Sequence, residues 1–174
     1  MTVSRLVSLK RAIMADLKLI QGVADVQPFG KLFEAEDIRQ VSFISPCAFV
    51  SVLAAPGSEA LPQGDSRTRV EVAVAVAANG KLGLPQDEET LSAAELVFKR
   101  ARWQRWGMDR IWPADKRRME ILPVPGRTGV ALLAVRWEHF LILDDADTDA
   151  DEEVLIRHGD APADNTVEIR EHLP

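Results

Sequence analysis

RTRVEVAVAVAA, residues 67–78, is the stretch of this chain that decides its fold. Successive side chains in a β-strand point to opposite faces, so this stretch predicts a strand with one bulky and one small face. The bulky face consists of Val70, Val72, Val74 and Val76, and the other of Glu71, Ala73, Ala75 and Ala77. We therefore expect another part of the chain to pack closely on the small face, while the valine face serves as core or as a contact surface.

The overall composition is that of an ordinary globular protein. Of the 174 residues, 47% are hydrophobic and 28% are charged, which disfavours wholesale disorder. A chain of this length is expected to fold as one domain with an extension and to bury roughly 70% of the surface that it exposes when unfolded. The formal net charge of -6 disfavours a role for the whole protein as a nucleic-acid coat.

Cysteine content and targeting signals narrow the class further. Cys47 is the single cysteine, so no disulfide can form within the chain, and its apolar surroundings PCAFVSVL predict a buried thiol. Charged residues interrupt the first twenty positions, which disfavours a signal peptide. No stretch approaches the roughly 20 apolar residues of a membrane span. The sequence thus predicts a soluble protein that does not act on membranes.

The N-terminal half is predicted to contain a helix followed by strands. Apolar residues at helical spacing, with Gly22 at the expected stop, predict an amphipathic helix that docks on a sheet, through Leu6, Leu9, Ile13, Leu17 and Ile20. Residues 23–45 are mixed and indicate one or two short strands or a loop. Residues Ala48 to Leu53 are predicted to form a strand that ends at Pro56-Gly57. Residues 57–66 are predicted to form an exposed turn.

The C-terminal half is predicted to contain a helix and a hairpin. Residues 90–106 have helical periodicity, with the core side formed by Leu91, Ala94, Val97, Phe98 and Ala101. Turning by about 100° per residue places Leu96 and Trp103 on the opposite side, which implies a second contact. Met119 to Val124 and Gly129 to Leu143 read as strands joined by residues 125–128.

These elements predict an α+β fold with a mixed, mainly antiparallel sheet and with the N-terminal and central helices packed on one face. Residues 1–143 form the predicted domain. Residues 144–174 form an acidic, weakly ordered extension that starts with DDADTDADEE and has two further candidate strands, 154–156 and 166–169.

Motifs for catalysis and metal binding are missing from the sequence. His139, His158 and His172 lack metal-ligand spacing, and the acidic run lacks the central glycine of a calcium loop. The glycines do not form a phosphate loop or a dinucleotide fingerprint. We expect no metal, no cofactor, no catalytic residue and no enzymatic activity, although a nucleophile and a histidine partner that converge only in the fold remain an alternative.

Basic and aromatic residues cluster between the second helix and the hairpin, at Lys99, Arg100, Arg102, Trp103, Arg105, Trp106, Arg110, Trp112, Lys116, Arg117 and Arg118. Such a cluster either stacks on single-stranded nucleic acid or anchors a protein interface, and we favour the interface because Trp and Arg are enriched there. The candidate subunit or partner interface comprises Leu96, Arg100, Trp103, Trp106, Arg110, Trp112, Asp145, Asp147 and Asp149. In this interpretation the acidic run complements the basic patch.

Five segments of the chain resemble, in their order and residue pattern, the tail-terminator, or tail-completion, proteins of Mu-like phages and prophages. These segments are SRLVSLKRAIMADLKLI, SPCAFVSVLA, TRVEVAVAVAANG, the helix ending in RWQRWG, and GVALLAVRWEHF. They cover most of residues 4–143, and the long acidic tail and the lack of tyrosine depart from the family pattern.

The resemblance implies a compact α+β subunit of a hexameric ring that caps the tail tube, stops its polymerisation and offers a surface to the head or its connector. The implied partners are further copies of the chain, the tail tube protein and a head-proximal connector protein. The implied location is the virion tail, after assembly in the host cytoplasm. The alternatives are another tail or baseplate assembly protein and a nucleic-acid-binding module that uses the Arg/Trp cluster.

Overall fold

The computed structural model describes residues 4–34, 36–37, 40–62, 66–79, 86–122 and 131–143. Their elements, in chain order, are α1 (Arg5–Leu17), β1 (Asp25–Pro28), β2 (Cys47–Ala60), β3 (Ser66–Ala78), α2 (Gln86–Arg100), β4 (Asp115–Ile121) and β5 (Ala131–Ile142). All seven elements belong to one compact unit, Met1–Ile142.

The described strands form one sheet in the order β1-β2-β3-β5-β4. The β1 and β2 strands pair in parallel, and the other three pairings are antiparallel. β3 lies in the middle, hydrogen-bonded to β2 on one side and to β5 on the other. The predicted α+β class with a mixed, mainly antiparallel sheet is confirmed.

Both helices lie on the sheet face that carries the valines of β3, and α2 contacts β3 itself. Helix α1 contacts β1 and β2, and α2 contacts β3, β4 and β5. Helix α1 fully buries Leu9, Ile13 and Leu17, and α2 buries Thr90, Ala93, Ala94 and Val97. Ala101, directly after α2, is buried as well. The four valines of β3 are also fully buried, so the valine face is core.

A phenylalanine cluster covers the small face at the end of β3 that carries its last alanines. Ala75 pairs with Phe49 of β2 on one side and with Ala134 of β5 on the other. The Phe49 ring stacks on the ring of Phe33 with centroids 4.6 Å apart, and Phe29 lies 4.7 Å from Phe33. The small alanine side chains leave room for these rings, which is the close packing that the sequence predicted.

The first difference from the sequence prediction concerns β2, which does not stop at Pro56-Gly57 but continues to Ala60. The pairing with β3 shifts register between Ala54 and Ser58 and then resumes with Ser58 opposite Thr68. A bulge leaves a residue outside the ladder, so a proline without a backbone N–H is accommodated there.

The second difference concerns α2, which ends at Arg100 and not at Trp106. Its buried stripe is also rotated, because Leu91 is 51% exposed and Thr90 is buried in its place. Three residues after the helix ends, Trp103 has a φ of 59°, and this left-handed conformation prevents a right-handed helix from extending to Trp106.

The predicted burial of Cys47 agrees with its position. Its side chain is fully buried in the phenylalanine cluster. Burial, with the nearby Asp25 carboxylate, raises the pKa of the Cys47 thiol to about 12. Since only the thiolate is a good nucleophile, this cysteine is inert in the folded protein.

Several sequence predictions lie outside the described residues. They are the turn at 125–128, the acidic run and the candidate strands at 154–156 and 166–169. Within the described part of the chain, none of the helices is long and apolar enough to span a bilayer.

We expect Ala75→Leu to destabilise the protein by about 1–3 kcal/mol, because the added atoms would have to enter the space occupied by the Phe33 and Phe49 rings. Urea unfolding followed by tryptophan fluorescence measures the free energy of unfolding. Ala60→Leu, at an exposed position of β2, is the matched control and should stay within about 0.5 kcal/mol of wild type. Equal stability of the two variants would show that the small face is not closely packed.

Candidate interaction surface at the tryptophan loop

The tryptophan loop, residues 101–114, connects α2 to β4 and has an unusual backbone. Trp103, Trp106 and Arg110 have φ angles of 59°, 53° and 49°, and Gly107 has a φ of 69°. For a residue with a Cβ, the left-handed region costs about 1–2 kcal/mol. The conformation of the loop must therefore be held by contacts with the rest of the fold.

Backbone hydrogen bonds attach the second half of the tryptophan loop to β5. The Trp112 N–H donates to the carbonyl of Phe140 at 2.8 Å, and the Ile142 N–H donates to the carbonyl of Arg110 at 3.1 Å. The Arg5 side chain of α1 donates to the carbonyl of Asp109 at 2.6 Å. The loop is thus fixed between the sheet and the first helix.

His139 of β5 forms the buried centre of this arrangement. Its Nε2 accepts hydrogen bonds from the indole N–H groups of Trp106, at 2.9 Å, and Trp137, at 3.0 Å. Its Nδ1 lies 2.9 Å from the carbonyl oxygen of Trp112. The indole rings of Trp106 and Trp137 stack with centroids 5.9 Å apart. One imidazole therefore connects β5 to two positions of the tryptophan loop.

The partners determine the protonation of His139. An indole N–H can only donate, so Nε2 must be unprotonated, and Nδ1–H donates to the Trp112 carbonyl. Burial lowers the pKa of His139 below its ordinary value, and the bond to the Trp112 carbonyl opposes this shift only in part. A second proton on Nε2 would face two indole N–H donors, so the neutral ring is the form that fits the fold.

The structure separates the candidate interface residues into different environments. Trp106 is only 7% exposed and lies in the core beside His139, so it does not belong to an exposed patch. Arg100 makes a bidentate pair with Asp16 of α1, with nitrogen–oxygen distances of 2.5 and 2.6 Å. These two residues act inside the subunit.

Leu96 also makes its contact inside the subunit. A Cβ on Gly22, which has a φ of 111°, would lie 3.0 Å from Cδ1 of Leu96. The side of α2 opposite its predicted core face therefore makes a second contact, as expected, but the contact is with the segment after α1. Asp145, Asp147 and Asp149 lie outside the described residues.

Trp103 projects from the tryptophan loop, and 71% of its surface is exposed. The neighbouring side chains of Arg102 and Arg105 are exposed too. Trp112 is 37% exposed at another part of the loop, where the Arg67 guanidinium lies 5.8 Å from its ring centroid. Arg110 is exposed, and its carbonyl holds the end of β5.

Most of the other basic residues of the cluster are engaged in the fold. Arg118 pairs with Glu71 at 2.7 Å, Lys116 with Glu138 at 2.9 Å, and Lys99 with Glu95. The Arg117 guanidinium lies 4.6 Å from the Phe98 ring centroid and donates to the Phe98 carbonyl. The basic cluster of the sequence is therefore reduced, at the surface, to the cations around Trp103.

The side chains exposed at this surface are aromatic and cationic. Among the described residues no group of three or more histidine, cysteine and acidic side chains could hold a metal ion. The tryptophan loop offers a large exposed aromatic ring, Trp103, with exposed arginines close to it in the sequence, which suits an apolar or acidic partner.

The role of His139 was missed by sequence reasoning, which considered this residue only as a metal ligand. A signal existed, because Trp137 and His139 are two positions apart and share one face of the predicted strand. The contribution of Trp106, which is distant in sequence, required the fold.

We expect the free energy of unfolding to fall as the pH drops below about 6.5. The unfolded chain protonates His139 near this pH, whereas the folded protein resists protonation because burial lowers the pKa, so stability is lost as protons bind. The contribution of one such histidine is at most about 1.4 kcal/mol per pH unit.

Urea unfolding of wild type and His139→Gln between pH 8 and pH 5 measures this effect. Glutamine can still accept a hydrogen bond but does not titrate, so its stability should fall less with acid. Carboxylates and the other histidines titrate in both proteins and cancel in the comparison. Identical pH slopes for the two proteins would contradict the assignment.

Comparison with known proteins does not assign this chain to a family. No protein-family model matches the sequence, and a search of curated proteins finds no significant match. The surface described above is therefore the basis on which a function can be proposed.

Proposed function

We propose that this protein is a structural subunit of a phage or prophage tail, which caps the tail tube, stops its polymerisation and joins it to the head-proximal end. The observation that carries the proposal is the exposed Trp103 ring on a loop whose backbone is fixed by buried contacts. The resemblance of five segments to tail-terminator proteins supports the same assignment.

A fixed, exposed tryptophan is a favourable anchor for a protein partner. Tryptophan and arginine dominate the residues whose truncation weakens protein interfaces most. Binding usually costs free energy because loops and side chains lose freedom, and a loop already held by His139 and β5 loses little. The tryptophan loop therefore presents its anchor in a conformation ready for binding.

Ring formation requires unlike surfaces on one subunit. Copies that join head to tail through unlike surfaces close into a ring when the rotation between neighbours closes. In this proposal Trp103 with its neighbouring arginines contacts the acidic run 144–153 of an adjacent copy. The ring, proposed as a hexamer, then contacts the tail tube protein on one side and a connector protein on the other.

A nucleic-acid-binding module is the second candidate, because exposed Trp103 lies beside Arg102 and Arg105. Stacking on an aromatic ring with arginines nearby is how many proteins bind single strands. The internal pairing of Lys99, Arg100, Lys116 and Arg118 leaves few cations for a phosphate backbone. The charge distribution therefore favours a protein partner.

We expect Trp103→Ala to abolish capping of tail tubes while leaving the fold intact. Removing an interface anchor of this kind costs about 2 kcal/mol or more, which corresponds to roughly a thirtyfold loss of affinity. The measurement is the length distribution of tubes polymerised from the tail tube protein of the same phage or prophage, with either variant added. Ile44→Ala removes an exposed apolar side chain outside the loop and is the control.

Tubes shortened equally by wild type and Trp103→Ala would contradict the role of the loop, and tubes unaffected by wild type would contradict capping. Tight binding of wild type to single-stranded oligothymidine, with affinity falling steeply as salt rises, would favour the second candidate.

We also expect replacement of Asp145, Asp147 and Asp149 by asparagine to weaken self-association and to reduce its salt dependence, because exposed charge pairs are screened by salt. Light scattering over a salt and concentration series measures the molar mass of the assembly. Unchanged mass and unchanged salt dependence would exclude the acidic run from the contact between copies.

A further inference from the structure

Helix α2 has one side that faces α1 and another that faces the β4 end of the sheet. Leu96 and Arg100 contact the α1 segment through Gly22 and Asp16. Phe98 lies about 100° from Val97 around the helix on the opposite side, where Arg117 of β4 contacts it. At about 100° per residue, Leu91 lies close to Phe98 and on the same side.

Large apolar side chains are exposed on β4 and on the side of α2 that faces it. Met119 and Ile121 lie on the same face of β4 as Arg117, because they follow it at intervals of two residues. The β4 strand is at the edge of the described sheet. Ile121 is 79% exposed, Leu91 51% and Met119 46%. We name Leu91, Met119 and Ile121 the β4-edge surface.

Acidic side chains border the β4-edge surface at the start of α2. Asp87 lies one helical turn before Leu91 and on the same side, and Glu88 follows it. Both are exposed, and neither forms an ion pair with any residue that the structure describes. The surface therefore combines an apolar centre with two carboxylates free to meet cations.

Helix α1 presents a surface of the opposite charge. Its Arg5 and Asp16 face the tryptophan loop and α2, and the helix period places Val7, Arg11 and Lys18 on the side away from them. These three are exposed, and the described part of the chain offers Arg11 and Lys18 no acidic partner. We name Val7, Arg11 and Lys18 the α1 outer face.

The two surfaces lie at opposite ends of the strand order. Helix α1 contacts β1 and β2, whereas the β4-edge surface is at the other end of the sheet. One subunit therefore cannot bring its own two surfaces together. Two subunits can, and the contact leaves one surface of each kind free, which is the condition for a head-to-tail assembly.

We infer that the β4-edge surface of one copy binds the α1 outer face of the next copy. Asp87 and Glu88 pair with Arg11 and Lys18 across this contact, and Ile121 packs against the apolar part of α1 around Val7. The inference rests on the ring in the proposed function and adds the surfaces that join its subunits.

Charge reversal tests the contact. The variant Asp87→Lys/Glu88→Lys and the variant Arg11→Glu/Lys18→Glu should each associate at least tenfold more weakly than wild type, because like charges then face each other. An equimolar mixture of the two variants should recover the wild-type molar mass, since every contact in an alternating ring again joins opposite charges. Light scattering measures the masses, and circular dichroism checks that each variant is folded.

Ile121→Asp provides an independent test of the apolar centre and should weaken association by a similar factor. Ile44→Asp is the matched control, because Ile44 is exposed but lies outside both surfaces. The inference is overturned if the reversed variants assemble like wild type, if their mixture does not recover assembly, or if wild type stays monomeric at every concentration.

The tube-capping experiment distinguishes this inference from the proposed function. Trp103→Ala leaves both surfaces unchanged, so it should block capping, and the association that remains in this variant should still be weakened by charge reversal at either surface. If assembly responds to charge reversal but the protein never affects tube length, the inferred contact stands and the proposed function is wrong. If the charge-reversed variants still cap tubes like wild type, the proposed function stands and the inferred contact is wrong.

Discussion

Burial of β3 on both faces is the constraint from which the rest of the structure follows. Its valine face is covered by α2, with α1 beside it over β1 and β2, and much of its small face is covered by the phenylalanine cluster around Phe49. Side-chain size determines what packs on each face, because the small alanines allow the phenylalanine rings to approach the strand closely. Toward Glu71 the small face carries ion pairs instead, with Arg118 and Arg136. The neighbours β2 and β5 inherit this division through their register with β3.

The candidate interaction surface depends on the same sheet through His139. In β5 this residue lies opposite Val70 of β3, on the face that carries the helices. Its two ring nitrogens hold Trp106 and the Trp112 carbonyl, and the left-handed backbone of the tryptophan loop persists because these bonds compensate its strain. Trp103 therefore projects from a loop that is attached to the core three residues later. The exposure of Trp103 at the surface and the hydrogen bonding of His139 in the interior thus belong to one arrangement.

The alternation of side chains along the sequence was sufficient to predict the strand at the centre of the sheet. The predicted strand 67–78 differs from Ser66–Ala78 by one residue, because its alternation contains all the information needed. The end of α2 could not be predicted in this way, since the conformation of Trp103 depends on contacts of the tryptophan loop with β5. The continuation of β2 past Pro56 also depends on pairing with a distant segment.

The candidate site shows why a count of charges in a sequence overstates the charge of a surface. Basic residues that are close together in the sequence suggested one large patch, yet the structure distributes them over α2, the tryptophan loop and β4. Arg100 joins two helices, and Arg118 joins β4 to β3. Exposed ion pairs of this kind contribute little to stability, but they neutralise basic side chains that would otherwise attract a polyanion. The remaining exposed charges lie on separate parts of the subunit. They are the arginines beside Trp103, the basic residues on α1 and the carboxylates at the start of α2. Separate surfaces of unlike charge on one subunit favour ordered association with other protein surfaces over uniform binding to a nucleic-acid backbone.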